Sequence, residues 1–155
     1  MRIGIDPGAG GALALLTDKL ELVHLEDMPT MLLNKNRQQV NPAELSKIIN
    51  RWKNLVNEQI IAFLEQVSAM PGQGVSSMFS FGVSYGVVQG VLASLFIPYI
   101  LVRPAEWKKR AGLIGAEKDK ARTIAQQLYP QAELARKRDV GRADAILIAR
   151  HGAKP

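Results

Sequence analysis

Five apolar residues in a row, Ile60–Leu64, stand between Gln59 and Glu65 near the middle of the chain. A strand apolar on both sides has no face to turn to water, so it must lie inside a sheet covered by other elements. The start of the chain offers it neighbours. Met1, Ile3 and Ile5 alternate with Arg2 and Gly4 and then meet Asp6, as in a short strand ending in a carboxylate. Pro7, Gly8, Gly10 and Gly11 make a tight turn, and Ala12–Leu16 supplies a second apolar run, antiparallel to the first. Glu21–Asp27 reads as a third strand and Tyr99–Val102 as another short one.

Helical periodicity fills the rest. Asn41-Pro42-Ala43-Glu44 is a helix start: Asn caps, Pro takes the first helical position, and Glu three residues after the cap closes a capping box. Leu45, Ile48, Ile49, Trp52, Leu55 and Val56 then recur at helical spacing over Pro42–Asn57. Met78–Leu95 reads as a longer helix carrying Gly82, Gly86 and Gly90 on one face, where a strand or a second subunit could approach closely. Pro104–Ala111, Lys118–Leu128 and Arg142–Gly152 read as further helices, while Met28–Val40 and Ser68–Ser77 read as loops. No linker or repeat divides the 155 residues. The expectation is one α/β domain over residues 1–155, a mixed five-stranded sheet with helices on its faces.

The charge narrows the partners. Residues 1–102 carry a net −1, whereas residues 103–142 hold 11 basic side chains against 5 acidic ones. A pI near 9.8 with the excess in one segment points to a polyanion, nucleic acid foremost, against the alternative of a solvated helical face. The absence of Cys excludes disulfides, a thiolate nucleophile and Cys-based metal sites. Reading along the chain, no apolar run approaches the ~20 residues of a membrane span. Asp6 and four glycines interrupt any signal-peptide layout, so a cytoplasmic location is expected.

Asp6 and Glu65 both end strands, and Asp144 lies on the first turn of the last helix among apolar neighbours that carry it inward. Each has an ordinary reading: turn chemistry for Asp6, a solvated strand end for Glu65, a helix-dipole partner for Asp144. Together they are three carboxylates converging at the carboxyl edge of a sheet, which would repel one another without a cation. Hard oxygen donors suit Mg²⁺, with Mn²⁺ as a substitute, and a pair of such ions roughly 4 Å apart is the apparatus of phosphodiester hydrolysis. His24 and His151 are isolated, which argues against zinc.

GIDPG at the start, FLEQV in the fourth strand and GRADAILIA near the end resemble the RuvC family of Holliday junction resolvases, within the ribonuclease H-like superfamily. SFGVSYGVVQGVLASL, RPAEWKKRAGL and KDKARTIAQQLYP are similar to its phage-type and plant organellar branch. The resemblance runs collinearly from Met1 to Gly152. It implies Asp6, Glu65 and Asp144 as metal-binding catalytic acids and Mg²⁺ as the cofactor, with no small-molecule cofactor. Lys118 would join the acids in catalysis. It implies DNA contacts from Lys108, Lys109, Arg110, Lys118, Lys120, Arg142, Gln73 and Met70, the last in place of an aromatic wedge where this chain has Ser68. It further implies a homodimer that nicks four-way junctions symmetrically and has no membrane association. The phage-type likeness extends the location to a phage protein in a host cytoplasm. Bacterial members carry another acid where this chain has Gly141, and Asp139 is the candidate replacement.

Three other readings compete. Actin-like and sugar-kinase ATPases also end a first strand in Asp before a Gly-rich turn, but need two such lobes. A non-catalytic nucleic-acid binder on the same fold draws support from Gly141. Cleavage of flaps, other branches or the RNA strand of a hybrid uses the same chemistry.

Overall fold

The computed structural model describes residues 1–69, 71–117 and 119–152. Its sheet is built from two kinds of connection. Hairpins join β1 (Arg2–Asp6), β2 (Ala12–Leu16) and β3 (Leu22–Asp27) as antiparallel neighbours. Helical crossovers then bring in β6 (Ile61–Glu65) parallel to β1, and β7 (Tyr99–Val102) parallel to β6. The order is β3-β2-β1-β6-β7, the mixed five-stranded sheet expected from the sequence.

Side-chain alternation assigns the two faces. Ile3, Ile5, Leu13, Leu15, Ala62 and Leu64 enter one core with Leu45, Ile49 and Trp52 of α1 (Pro42–Leu55) and Val88, Val91 and Leu92 of α2 (Val75–Ser94). Ala12, Ala14, Phe63 and Val102 point the other way. There they meet Trp107 of α3 (Pro104–Arg110), Ala121 and Ala125 of α4 (Lys120–Leu128), and the apolar run of α5 (Val140–His151).

Several local expectations need correction. Residues 28–40, expected as a loop, contain a two-stranded hairpin of β4 (Thr30–Asn34) and β5 (Arg37–Val40). Its alternation is faint because most of both faces meets solvent; its inner end is held where the Val40 amide donates to Ser84 Oγ at 3.3 Å. The capping box of α1 is half formed. Asn41 accepts from the Ala43 and Glu44 amides, but the Glu44 carboxylate pairs with Lys47. In α2, Leu92 is buried in the chain's own core, whereas Phe79 is 72% exposed and Gly82, Gly86 and Gly90 face solvent. This 20-residue helix is by length and composition apolar enough to cross a membrane, which the reading along the sequence did not register. Its inner face nonetheless packs on the sheet through Val88, Val91 and Leu92.

β1 and α5 approach each other closely at Gly4. A Cβ placed on Gly4 would stand 2.0 Å from the Ala145 carbonyl oxygen and 2.4 Å from the Ala149 amide nitrogen. Both are backbone atoms, so the helix would have to move as a body. Gly4→Ala is expected to lower stability by about 3 kcal/mol, at the upper end of overpacking costs, measured by denaturant unfolding.

Candidate active site

The pairing of β1 with β6 decides where the acids meet. Ile5 stands opposite Leu64, so Asp6 and Glu65 follow one step later at the same carboxyl edge. Period-two alternation turns both side chains away from the Ile5–Leu64 core and toward the face covered by α5. Asp144 lies one turn into that helix, next to the Ala145 that touches Gly4. Three residues far apart in sequence thus share one sheet edge.

Their electrostatics show the proximity. Burial pushes the Asp6 carboxyl up to about 7, and the charges of Glu65 and Asp144 add to it; the Gly8 amide and Lys108 oppose. Burial likewise pushes Asp144 up to about 6, with the Glu65 charge adding and Lys108 opposing. Glu65 Oε1 accepts a hydrogen bond from Trp107 Nε1 at 2.9 Å, and Lys108 Nζ lies 5.3 Å from the centre of that ring. Among the described residues no group of three or more His, Cys, Asp or Glu side chains is placed to hold a metal ion as it stands. The three carboxylates form an open, mutually repelling cluster of hard oxygen donors, moderated by Lys108. That donor set fits Mg²⁺ or Mn²⁺.

The structure separates the other sequence-predicted residues by what they do. Asp139 is 2% exposed and stands apart from the cluster; its oxygens accept from the Arg136 backbone amide at 2.8 Å and from Arg136 Nε at 2.9 Å. The Arg136 hydrogen bond holds its carboxyl below the usual range, so Asp139 stays a charged partner of arginine. Nor is there room for an acid at Gly141. A Cβ there would sit 2.3 Å from the Gly10 carbonyl oxygen and 2.9 Å from Gly11 Cα. The turn after β1 occupies that space.

Arg110 donates to the His151 and Gly152 carbonyls and closes the end of α5. Arg142 is held by Asp27 and Glu133, and so ties α5 to β3. Both serve the fold. Lys109 and Lys120 are exposed, and Gln73 is exposed at the mouth of an apolar groove with Val75, Met78 and Phe79. Met70 and Lys118 lie outside the described residues.

One feature of the site escaped the sequence reading. A groove runs between the β4–β5 hairpin and the first half of α2, lined by Lys35, Arg37, Gln38, Ser77, Ser80 and Phe81. None of the three acids lines it, though it comes to the turn that follows Asp6. Ala9 lies in its wall, and a Cβ on Gly8 would be 3.5 Å from the Phe81 ring and 3.9 Å from Asp6 Oδ1. The available signal was Asn34-Lys35-Asn36 between two short alternating runs, a hairpin turn.

The strand order β3-β2-β1-β6-β7 with helices on both faces is a fold shared with solved RuvC structures. RuvC of Thermus thermophilus in complex with a Holliday junction substrate superposes with a TM-score of 0.68 at 18% identity, covering 96% of this chain and 88% of that one. A second T. thermophilus RuvC structure gives 0.63 at 17% identity, covering 96% and 90%. At such identities the likeness establishes the fold. No protein-family model matches the sequence, and no curated protein matches it.

The raised carboxyls make stability depend on pH. Unfolded, Asp6 and Asp144 titrate near 3.8; folded, near 7 and 6. Between these values the folded chain binds more protons, so their contribution is complete below pH 4 and is lost as pH rises through 7. Metal-free Asp6→Asn should therefore melt several degrees above the wild type at pH 8, with the gap closing toward pH 4. Saturating Mg²⁺ should raise the wild-type Tm at pH 8 and barely change it at pH 5. Differential scanning calorimetry in chelator and in Mg²⁺ checks both.

Proposed function

We propose that this chain is a metal-dependent endodeoxyribonuclease that resolves four-way DNA junctions by paired nicks. The observation that carries the reading is the convergence of Asp6, Glu65 and Asp144 on a fold shared with a RuvC solved on a Holliday junction. Asp6, Glu65 and Asp144 would hold Mg²⁺ or Mn²⁺, which when bound supplies Lewis-acid activation of water and neutralises charge at the scissile phosphate. Lys108, whose charge already acts on Asp6 and Asp144, faces the same phosphate. Lys35 and Arg37 line a groove between the β4–β5 hairpin and α2, suited to the sugar–phosphate backbone of one strand. Lys109 and Lys120 add exposed positive charge on the α3–α4 side.

A junction has two equivalent strands, and an isologous dimer matches its two-fold axis. The outward face of α2 supports such a dimer. Val75 is 87% and Phe79 72% exposed, and no atom lies within 4 Å of a Cβ on Gly82, Gly86 or Gly90. The glycines allow close approach and the bulky residues supply apolar area.

The chemistry is tested with labelled four-way, three-way, flap, duplex and RNA–DNA hybrid substrates in Mg²⁺. Wild type should cut the four-way junction best, and Asp6→Asn should lose cleavage by at least about a thousandfold while still binding it. Preferred cutting of flaps or hybrids would replace the junction reading, and undiminished cutting by Asp6→Asn would refute the metal centre.

The dimer is tested with Gly86→Arg, which favours helix and meets no neighbour within the chain. By analytical ultracentrifugation the wild type should be a dimer at micromolar concentration and the variant a folded monomer that no longer makes paired nicks. A wild-type monomer both free and on a junction would rule out a preformed dimer.

A further inference from the structure

Glu65 accepts from a buried side chain, whereas Asp6 is met by the Gly8 backbone amide at 3.4 Å. Glu65 Oε1 accepts from the indole N–H of Trp107 at 2.9 Å, and Trp107 is wholly buried. The ring is held on all sides. Pro104 opens the seven-residue α3, and Trp107 reaches from it into the core between the sheet and α5.

We propose that Trp107 is the positioning residue for Glu65, its N–H holding one carboxylate oxygen so that the other is left for a divalent ion. This rests on the metal-dependent reading above. An indole suits the task because it donates and never accepts, has few rotamers, and carries no charge. An Arg or Lys in its place would orient Glu65 but cancel the negative charge a cation needs. The same ring gives Lys108 a face to lie over, 5.3 Å from its centre, and Lys108 moderates Asp6 and Asp144. One buried side chain thereby orders an acid and a cation of the cluster. Groups that orient metal ligands commonly set affinity by 10- to 100-fold.

Trp52 provides the contrast. It too is fully buried, stacked on His24, yet its indole N–H has no partner among the described residues. The fold therefore accommodates an indole as apolar filling alone. What sets Trp107 apart is its partner at the sheet edge.

Trp107→Phe keeps a buried ring and a face for Lys108 but removes the donor. Calorimetric titration with Mn²⁺ in the absence of DNA should show about tenfold weaker binding by the variant. Its circular dichroism and metal-free junction affinity should match the wild type, and cleavage should recover at higher Mn²⁺. Trp52→Phe leaves Trp107 as the one tryptophan, so Mg²⁺ should change its emission with the midpoint that calorimetry gives for the same chain. This second arm decides the matter if Trp107→Phe fails to fold.

Equal Mn²⁺ affinity in folded Trp107→Phe overturns the positioning role and leaves the metal centre standing. So does Trp107 emission indifferent to Mg²⁺ while calorimetry records binding. A wild type that takes up no Mn²⁺ overturns the metal centre, and the positioning role falls with it.

Discussion

The contact of α5 with β1 at Gly4 is the constraint on which the rest of the molecule depends. A helix and a strand meet there with nothing larger than the Ala149 methyl between them. This brings the first turn of α5 down to the carboxyl edge of the sheet, where Gly141 rests on the Gly10–Gly11 turn. The same turn is pressed against Asp6, since a Cβ on Gly11 would overlap the Asp6 backbone. Asp144 comes close to Asp6 and Glu65 because Gly4, Gly11 and Gly141 let backbone meet backbone beside them. The arrangement also leaves no place for an acid at 141, so three carboxylates form the cluster.

The cluster strains the fold that makes it. Asp6 and Asp144 are pushed toward their protonated forms by burial and by their neighbours, with Lys108 the moderating charge. Nothing in packing requires acids there; Asn would fit and repel less. A site that lowers stability at neutral pH, in an otherwise consistent fold, is the kind of local conflict that marks function.

The basic excess divides between fold and surface. Arg110, Arg122, Arg136 and Arg142 are committed to carbonyls or carboxylates that join α4, α5, β3 and the segment before α5. The charge near the acids comes from Lys108, while Lys35 and Arg37 line the groove beside α2. Four of the 11 cations in the basic segment are held within the fold, and two that border the groove lie in the β4–β5 hairpin.

Much was legible along the chain because local patterns report local structure. The strands at Ala12–Leu16 and Tyr99–Val102 follow directly from apolar runs, and Asn41-Pro42 marks the start of α1. Asp6, Glu65 and Asp144 stood out as strand-end and helix-start acids. The β4–β5 hairpin was missed because its faces lack a buried alternation; tertiary contact with α2 holds it in place. Whether Asp139 or Gly141 bordered the acids, whether Arg110 and Arg142 were free, and which tryptophan had a partner were all decided by tertiary structure. Hydrophobic period records which side of an element is buried, but hydrogen-bond partners depend on which elements the fold lays side by side. The sequence by itself determined the sheet and its three acids; only the packing of α3 and α5 onto that sheet gave Glu65 its indole donor and brought Asp144 to the other two.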